Sequence, residues 1–127
     1  MVLTPLPAPM TVCETEEFLA RAEKVWSAEE RGEFVDFIAL HPEAGDLIPG
    51  AGGVRKVRWT KPGTGKRGGV RVIYYFYDTT VPLFLITMFA KNQKSDLNPA
   101  DKKGLAEFAK LAKATIKGER RAQDKKK

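Results

Sequence analysis

Seven basic residues, Arg55, Lys56, Arg58, Lys61, Lys66, Arg67 and Arg71, fall between Val54 and Tyr77, and no acidic residue lies among them. In Val54–Trp59 the apolar Val57 and Trp59 alternate with Lys56 and Arg58. Side chains of a strand alternate faces, so a strand here puts Lys56 and Arg58 on one side and the apolar pair on the other. Arg71 is the only charge in the run from Val70 to Tyr77, which is otherwise β-branched or aromatic and therefore strand-forming. Cations on neighbouring strands, with no carboxylate between them, make a face suited to a polyanion. Nucleic acid is the first candidate partner, and an acidic protein or membrane surface also fits.

Other chemistry is less well supplied. Gly63 to Val70 has the form GxGxxGxV. A dinucleotide fingerprint of that form needs a helix directly after it, and a kinase loop needs a catalytic loop and a DFG. Here a strand pattern follows and no DFG occurs, which leaves a hairpin tip whose glycines relax the backbone. Lys61, Lys66 and Arg67 on such a tip can still reach phosphates, or serve solubility alone. Cys13 and His41 are single, so no zinc cluster of cysteine and histidine and no disulfide within the chain can form. Cys13 is expected in the core. His41, before Pro42 at a helix end, has no paired acid to make it a general base. Residues 90–97, AKNQKSDL, leave the last apolar strand as a polar loop, and in an antiparallel meander Lys91 would come near Arg71.

The elements that must position these residues follow from periodicity. Phe18, Leu19, Ala22, Val25 and Trp26 form a helical stripe behind the acids Glu14, Glu16 and Glu17. Ser27-Ala28-Glu29-Glu30 is a capping box, and a second helix carrying Phe34, Val35, Phe37 and Ile38 stops before Pro42. Residues 43–53, rich in glycine and proline, connect to the two basic strands; a turn at Asp78-Thr79-Thr80 leads to a third strand, Leu83 to Ala90. Asn98-Pro99 starts a last helix with Leu105, Phe108, Ala109, Ala112 and Ile116 on one stripe. Met10 to Cys13 is a possible short first strand. The sum is an α+β domain, an N-terminal helical hairpin packed on an antiparallel sheet with a C-terminal helix, all helices expected on one face.

With 127 residues and 43% hydrophobic content, one domain is expected over residues 1–117, with a basic, frayed tail over 118–127. The net charge of +6 is unevenly spread: residues 14–47 carry ten acids and three bases, and residues 91–127 five acids and twelve bases. MVLTPLPAPM has neither the basic start nor the apolar core of a signal peptide, and the apolar run from Val81 to Ala90 is too short to span a bilayer as a helix. A cytoplasmic protein without cofactor or metal is expected.

The segments GDLIPGAGGVRKVRW, GKRGG, VRVIYY and AKNQKSDLNPADK, in this order, closely resemble the HigB branch of the RelE-like toxins of type II toxin–antitoxin systems. The resemblance runs from about Glu14 to Ile116. It implies a RelE/ParE-like fold and a metal-independent endoribonuclease that cuts mRNA on the 70S ribosome. It also implies a cognate helix-turn-helix antitoxin, with operator DNA bound only through that antitoxin and no membrane partner. By strand matching, the resemblance makes Arg71, Lys56 and Lys91 the catalytic residues. Arg71 would stabilise the phosphorane, and Lys56 or Lys91 would take the proton of the RNA 2′-hydroxyl. Arg58, Lys61, Lys66, Arg67, Asn92 and Lys94 would hold RNA. Asn92 stands where the best-known members carry a charge, so it supplies hydrogen bonds alone. The alternatives are a non-catalytic module that binds nucleic acid or antitoxin, and a gyrase-targeting toxin, since one fold hosts several activities.

Overall fold

The computed structural model describes residues 8–60, 69–90 and 97–125, the last three of these by backbone alone. The elements run β1 (Val12–Glu14), α1 (Glu16–Val25), α2 (Ala28–Leu40), β2 (Asp46–Leu47), β3 (Val54–Trp59), β4 (Val70–Tyr75), β5 (Leu83–Ala90) and α3 (Pro99–Lys125).

Each helix begins at a side-chain cap. Thr15 Oγ1 accepts from the Phe18 N–H at 3.2 Å. The Ser27–Glu30 box is reciprocal, at 3.2 and 3.3 Å. Asn98 Oδ1 accepts from the Asp101 N–H at 2.8 Å while Asp101 Oδ2 accepts from the Asn98 N–H at 3.1 Å, and Pro99 occupies the first helical position, where its missing N–H costs nothing.

The sheet order is β1-β5-β4-β3-β2. All pairings are antiparallel except the outermost, where β1 lies parallel to β5. On one side of the sheet Val57, Val72, Tyr74, Leu85 and Met88 pack against Phe18, Ala22, Phe34 and Ile38 of the helical hairpin. On the other, Val54, Ile73, Tyr75, Ile86 and Phe89 pack against Leu105 and Ala109 of α3. The expectation of helices on one face is therefore corrected: the sheet is sandwiched. The physical reason lies in β4, where Val70, Val72, Ile73, Tyr74 and Tyr75 are all buried. A strand apolar on both faces needs cover on both.

Between β4 and β5 the register slips: Ile73 pairs with Thr87 and Tyr74 with Leu85, so Ile86 has no opposite residue. This bulge reverses the alternation of β5. Leu85 and Met88 face the hairpin, and Ile86 and Phe89 face α3.

The connection into β2 is tied down by Tyr74. Its buried hydroxyl donates to Pro42 O and accepts from the Gly45 N–H, both at 2.8 Å, and burial pushes its phenol pKa up. Arg55 Nη1 donates to Gly45 O at 2.7 Å, so this member of the basic stretch is a structural tie on the hairpin side. Cys13, expected in the core, is exposed. It sits on the edge strand opposite Phe84, a residue of the α3 side, and alternation turns it away from the hairpin.

α3 continues past Gly118, where the sequence suggests a tail, and reaches Lys125. Arg120 supplies an anchor. Its Nη2 donates to Asp78 Oδ2 at 2.8 Å and to Thr80 Oγ1 at 2.6 Å, and its guanidinium lies 5.4 Å from the centre of the Tyr77 ring.

Candidate functional site

Cross-strand partners share a face, so register decides which cations meet. Arg58 is directly opposite Arg71, and Lys56 is opposite Ile73. Ile73 belongs to the α3 side; Lys56, Arg58 and Arg71 therefore project from that same side. Arg58 is exposed, Lys56 and Arg71 half-buried. α3 covers Val54, Ile73 and Tyr75 and leaves the three cations at its margin.

The two guanidiniums converge at the start of β4. A Cβ placed on Gly69 would lie 3.9 Å from both Arg58 Nε and Arg71 Nη1. Arg71 Nη1 is buried and has no hydrogen-bond partner among the described residues. Ion pairs join Glu17 to Arg21, Glu14 to Arg31 and Asp78 to Arg120; none among the described residues neutralises Lys56, Arg58 or Arg71. Asp46 stands opposite Lys56 across β2 and β3 without pairing to it.

Stability alone does not favour this arrangement. Like charges directly opposite across strands destabilise a sheet. A buried donor without a partner costs about 1–3 kcal/mol, and more when charged. Both costs fall if a phosphate oxygen accepts from the two guanidiniums at once, a charge-assisted contact that suits arginine's fork.

Val70 pairs with Trp59 on one side and with Ala90 on the other, so the ends of β3 and β5 flank the start of β4 beside Arg58 and Arg71. Lys61, Lys66, Arg67, Lys91, Asn92 and Lys94 lie outside the described residues, as does most of the glycine-rich loop. His41 belongs elsewhere. It stacks on Phe37 at 5.0 Å, Phe37 in turn lies 4.9 Å from Trp59, and both packing partners belong to the hairpin-side core. Among the described residues no three of histidine, cysteine, aspartate and glutamate gather closely enough to hold a metal ion. No helix among them is long and apolar enough to cross a membrane.

Sequence patterning misses two neighbours of the cations. Phe89 pairs with Arg71 from the other flank, and Thr87 pairs with Ile73. Thr87 is the only polar side chain in β5, which is a visible signal. Its direction depends on the bulge, which no periodicity reveals.

The chain matches a protein-family model and is similar to solved structures. Residues 45–125 match the family described as "RelE toxin of RelE / RelB toxin-antitoxin system". Among solved structures, a double mutant of the E. coli toxin RelE in the free state superposes with a TM-score of 0.50 at 18% identity, covering 69% of this chain and 90% of that one. At that identity the likeness speaks for the fold.

Proposed function

The chain belongs to the RelE toxin family, and from that premise we propose that it is the toxin of a type II toxin–antitoxin module, of the HigB branch, and cuts mRNA on the ribosome. The observation that carries this reading is the pair Arg58 and Arg71, face to face across two strands and unneutralised among the described residues, with the buried Nη1 of Arg71 and Nε of Arg58 each 3.9 Å from a Cβ placed on Gly69.

RNA brings its own nucleophile. The 2′-oxygen attacks the adjacent phosphorus and the bond to the 5′-oxygen breaks, leaving a cyclic phosphate on one fragment and a hydroxyl on the other. Negative charge builds on the non-bridging oxygens, and fixed donors aimed at that charge supply the largest share of most rate enhancements. Arg71 fills that role, with Arg58 gripping the same phosphate. Lys56, on the same face two residues before Arg58, takes the 2′-hydroxyl proton when its amine is neutral; Lys91, the residue after β5, is the other candidate. Lys61, Lys66, Arg67, Asn92 and Lys94 extend the RNA contact. A helix-turn-helix antitoxin encoded beside the gene, and a cytoplasmic site of action, belong to the same reading.

Induction in bacteria, with mRNA ends mapped genome-wide, tests it. Growth arrest with new ends at ribosome-occupied codons is expected from the wild-type protein and not from Arg71→Ala. Arrest without new RNA ends favours a binding module, and arrest with DNA-damage signalling favours a gyrase target.

A further inference from the structure

Gly69 stands one residue before β4, and its backbone does not call for glycine: its φ lies outside the left-handed region that disfavours side chains. What the missing side chain leaves is space. The three nearest neighbours of a Cβ placed there are all polar: Thr60 Oγ1 at 3.3 Å, and Arg58 Nε and Arg71 Nη1 at 3.9 Å each. The two arginines already belong to the phosphate site. Thr60, one residue past the end of β3, is the new member.

Three features bring Thr60 to the phosphate. Alternation puts it on the face of Arg58, two residues on along the same strand direction. Its hydroxyl has no hydrogen-bond partner among the described residues, and neither has the buried Nη1 of Arg71 beside it. Its chemistry also complements theirs. The guanidiniums are rigid, charged forks, whereas a hydroxyl is a compact neutral donor whose hydrogen turns to suit the acceptor.

We infer that Thr60 is a third catalytic ligand of the scissile phosphate, its Oγ1–H donating to a non-bridging oxygen that rests over the bare Cα of Gly69 between Arg58 and Arg71. This deepens the ribonuclease reading above and rests on it. Thr60 makes and breaks no covalent bond and takes no proton. Its hydrogen bond strengthens as charge moves onto that oxygen, while the 2′-oxygen attacks and the 5′-oxygen leaves. Its branched side chain is stiff at χ1, so the contact selects one of the two non-bridging oxygens. A side chain at position 69 would stand where that oxygen must rest.

Single-turnover cleavage on programmed ribosomes tests the contact, with wild type, Arg71→Ala, Thr60→Val, Thr60→Ala and Thr60→Ser compared and a melting curve recorded for each. Each protein meets three mRNAs: one with the natural scissile phosphate, and two in which sulfur, a weak acceptor, replaces one or the other non-bridging oxygen. Thr60→Val keeps the branched shape without the hydroxyl and should cut the natural mRNA about 10- to 100-fold more slowly, the range for losing a hydrogen bond to a charged group. Thr60→Ser should restore most of the rate. One of the two sulfur mRNAs should be cut slowly by wild type, and that penalty should shrink by about fivefold or more in Thr60→Val, since independent contacts would leave it unchanged to within about twofold. Thr60→Ala gives the same reading if Thr60→Val melts early. A rate near wild type without the hydroxyl, no sulfur penalty in the wild type, or an equal penalty in wild type and variant overturns the contact; Arg71-dependent cutting then leaves the ribonuclease standing, with Thr60 only shaping the strand end. Absence of Arg71-dependent cutting by the wild-type protein overturns both.

Discussion

Arg71 and Arg58 are set opposite each other by a register that brings two positive charges together on one side of the sheet. Loss of one well-placed donor to a charged transition state lowers a rate by about 100- to 1,000-fold. Arg71→Ala should show a loss of that order, and Arg71→Lys should recover little of it, because an ammonium keeps the charge but not the planar fork. Gly69 offers a finer probe. Its added methyl group would meet Thr60 Oγ1 at 3.3 Å, a side chain at a strand end that can yield, and would sit at the point shared by the two guanidiniums. Gly69→Ala should melt near the wild-type temperature yet bind a short single-stranded RNA more weakly by fluorescence anisotropy; unchanged affinity would place the phosphate elsewhere. At this scale the sequence shows which residues can act but only partly which act together. Alternation pairs Lys56 with Arg58 and sets Arg55 aside, whereas the facing of Arg58 and Arg71 depends on a register invisible to composition.

The helices are legible because their ends are chemically marked: Ser27 with Glu30, and Asn98 with Pro99, are caps in sequence and in structure. Less legible are β2, two residues long, the parallel pairing of β1, and the bulge at Ile86, since each arises from contacts between distant segments. The side on which α3 packs could have been inferred from β4, whose apolar run leaves no face for water. Two tests belong to these connections. A Cβ on Gly45 would lie 2.8 Å from Lys56 O and 2.9 Å from the Tyr74 hydroxyl, so Gly45→Ala should destabilise the fold by about 1–3 kcal/mol. Urea unfolding measures this, and an unchanged midpoint would show that the loop relaxes freely. The second concerns the end of α3. Hydrogen bonds from Thr80 and then Arg120 hold the Asp78 carboxyl down at about 2, below its ordinary 3.8. The contact therefore contributes in full above pH 3.8 and is lost as pH falls through about 2. Protection factors of amides around Arg120, taken against the intrinsic rate at each pH, should fall on acidification to that range, and in Asp78→Asn already at neutral pH; equal protection in the variant would mean that packing alone holds the helix end.

Over the whole molecule charge is segregated, with the acidic segment ending at Leu47 and the basic segment beginning at Arg55. Such a field steers a polyanion to one side of the protein and turns the other side away from it. RNA affinity should fall with salt, and Arg58→Ala should reduce the logarithmic slope by about 0.7, the value for one phosphate contact on a single strand. A slope equal to wild type would remove Arg58 from the interface. The fold then has a simple division of labour. The hairpin and α3 clamp the sheet from both sides, and at the margin of α3 the sheet presents cations that nothing in the described protein neutralises. Single-turnover cleavage of mRNA on programmed ribosomes tests this most directly, with wild type and Arg71→Ala compared at saturating protein. A drop of about 100-fold or more in the rate, with the melting temperature kept, is the expected result. Rates within about threefold of each other would contradict a phosphodiester held and activated by this pair of arginines.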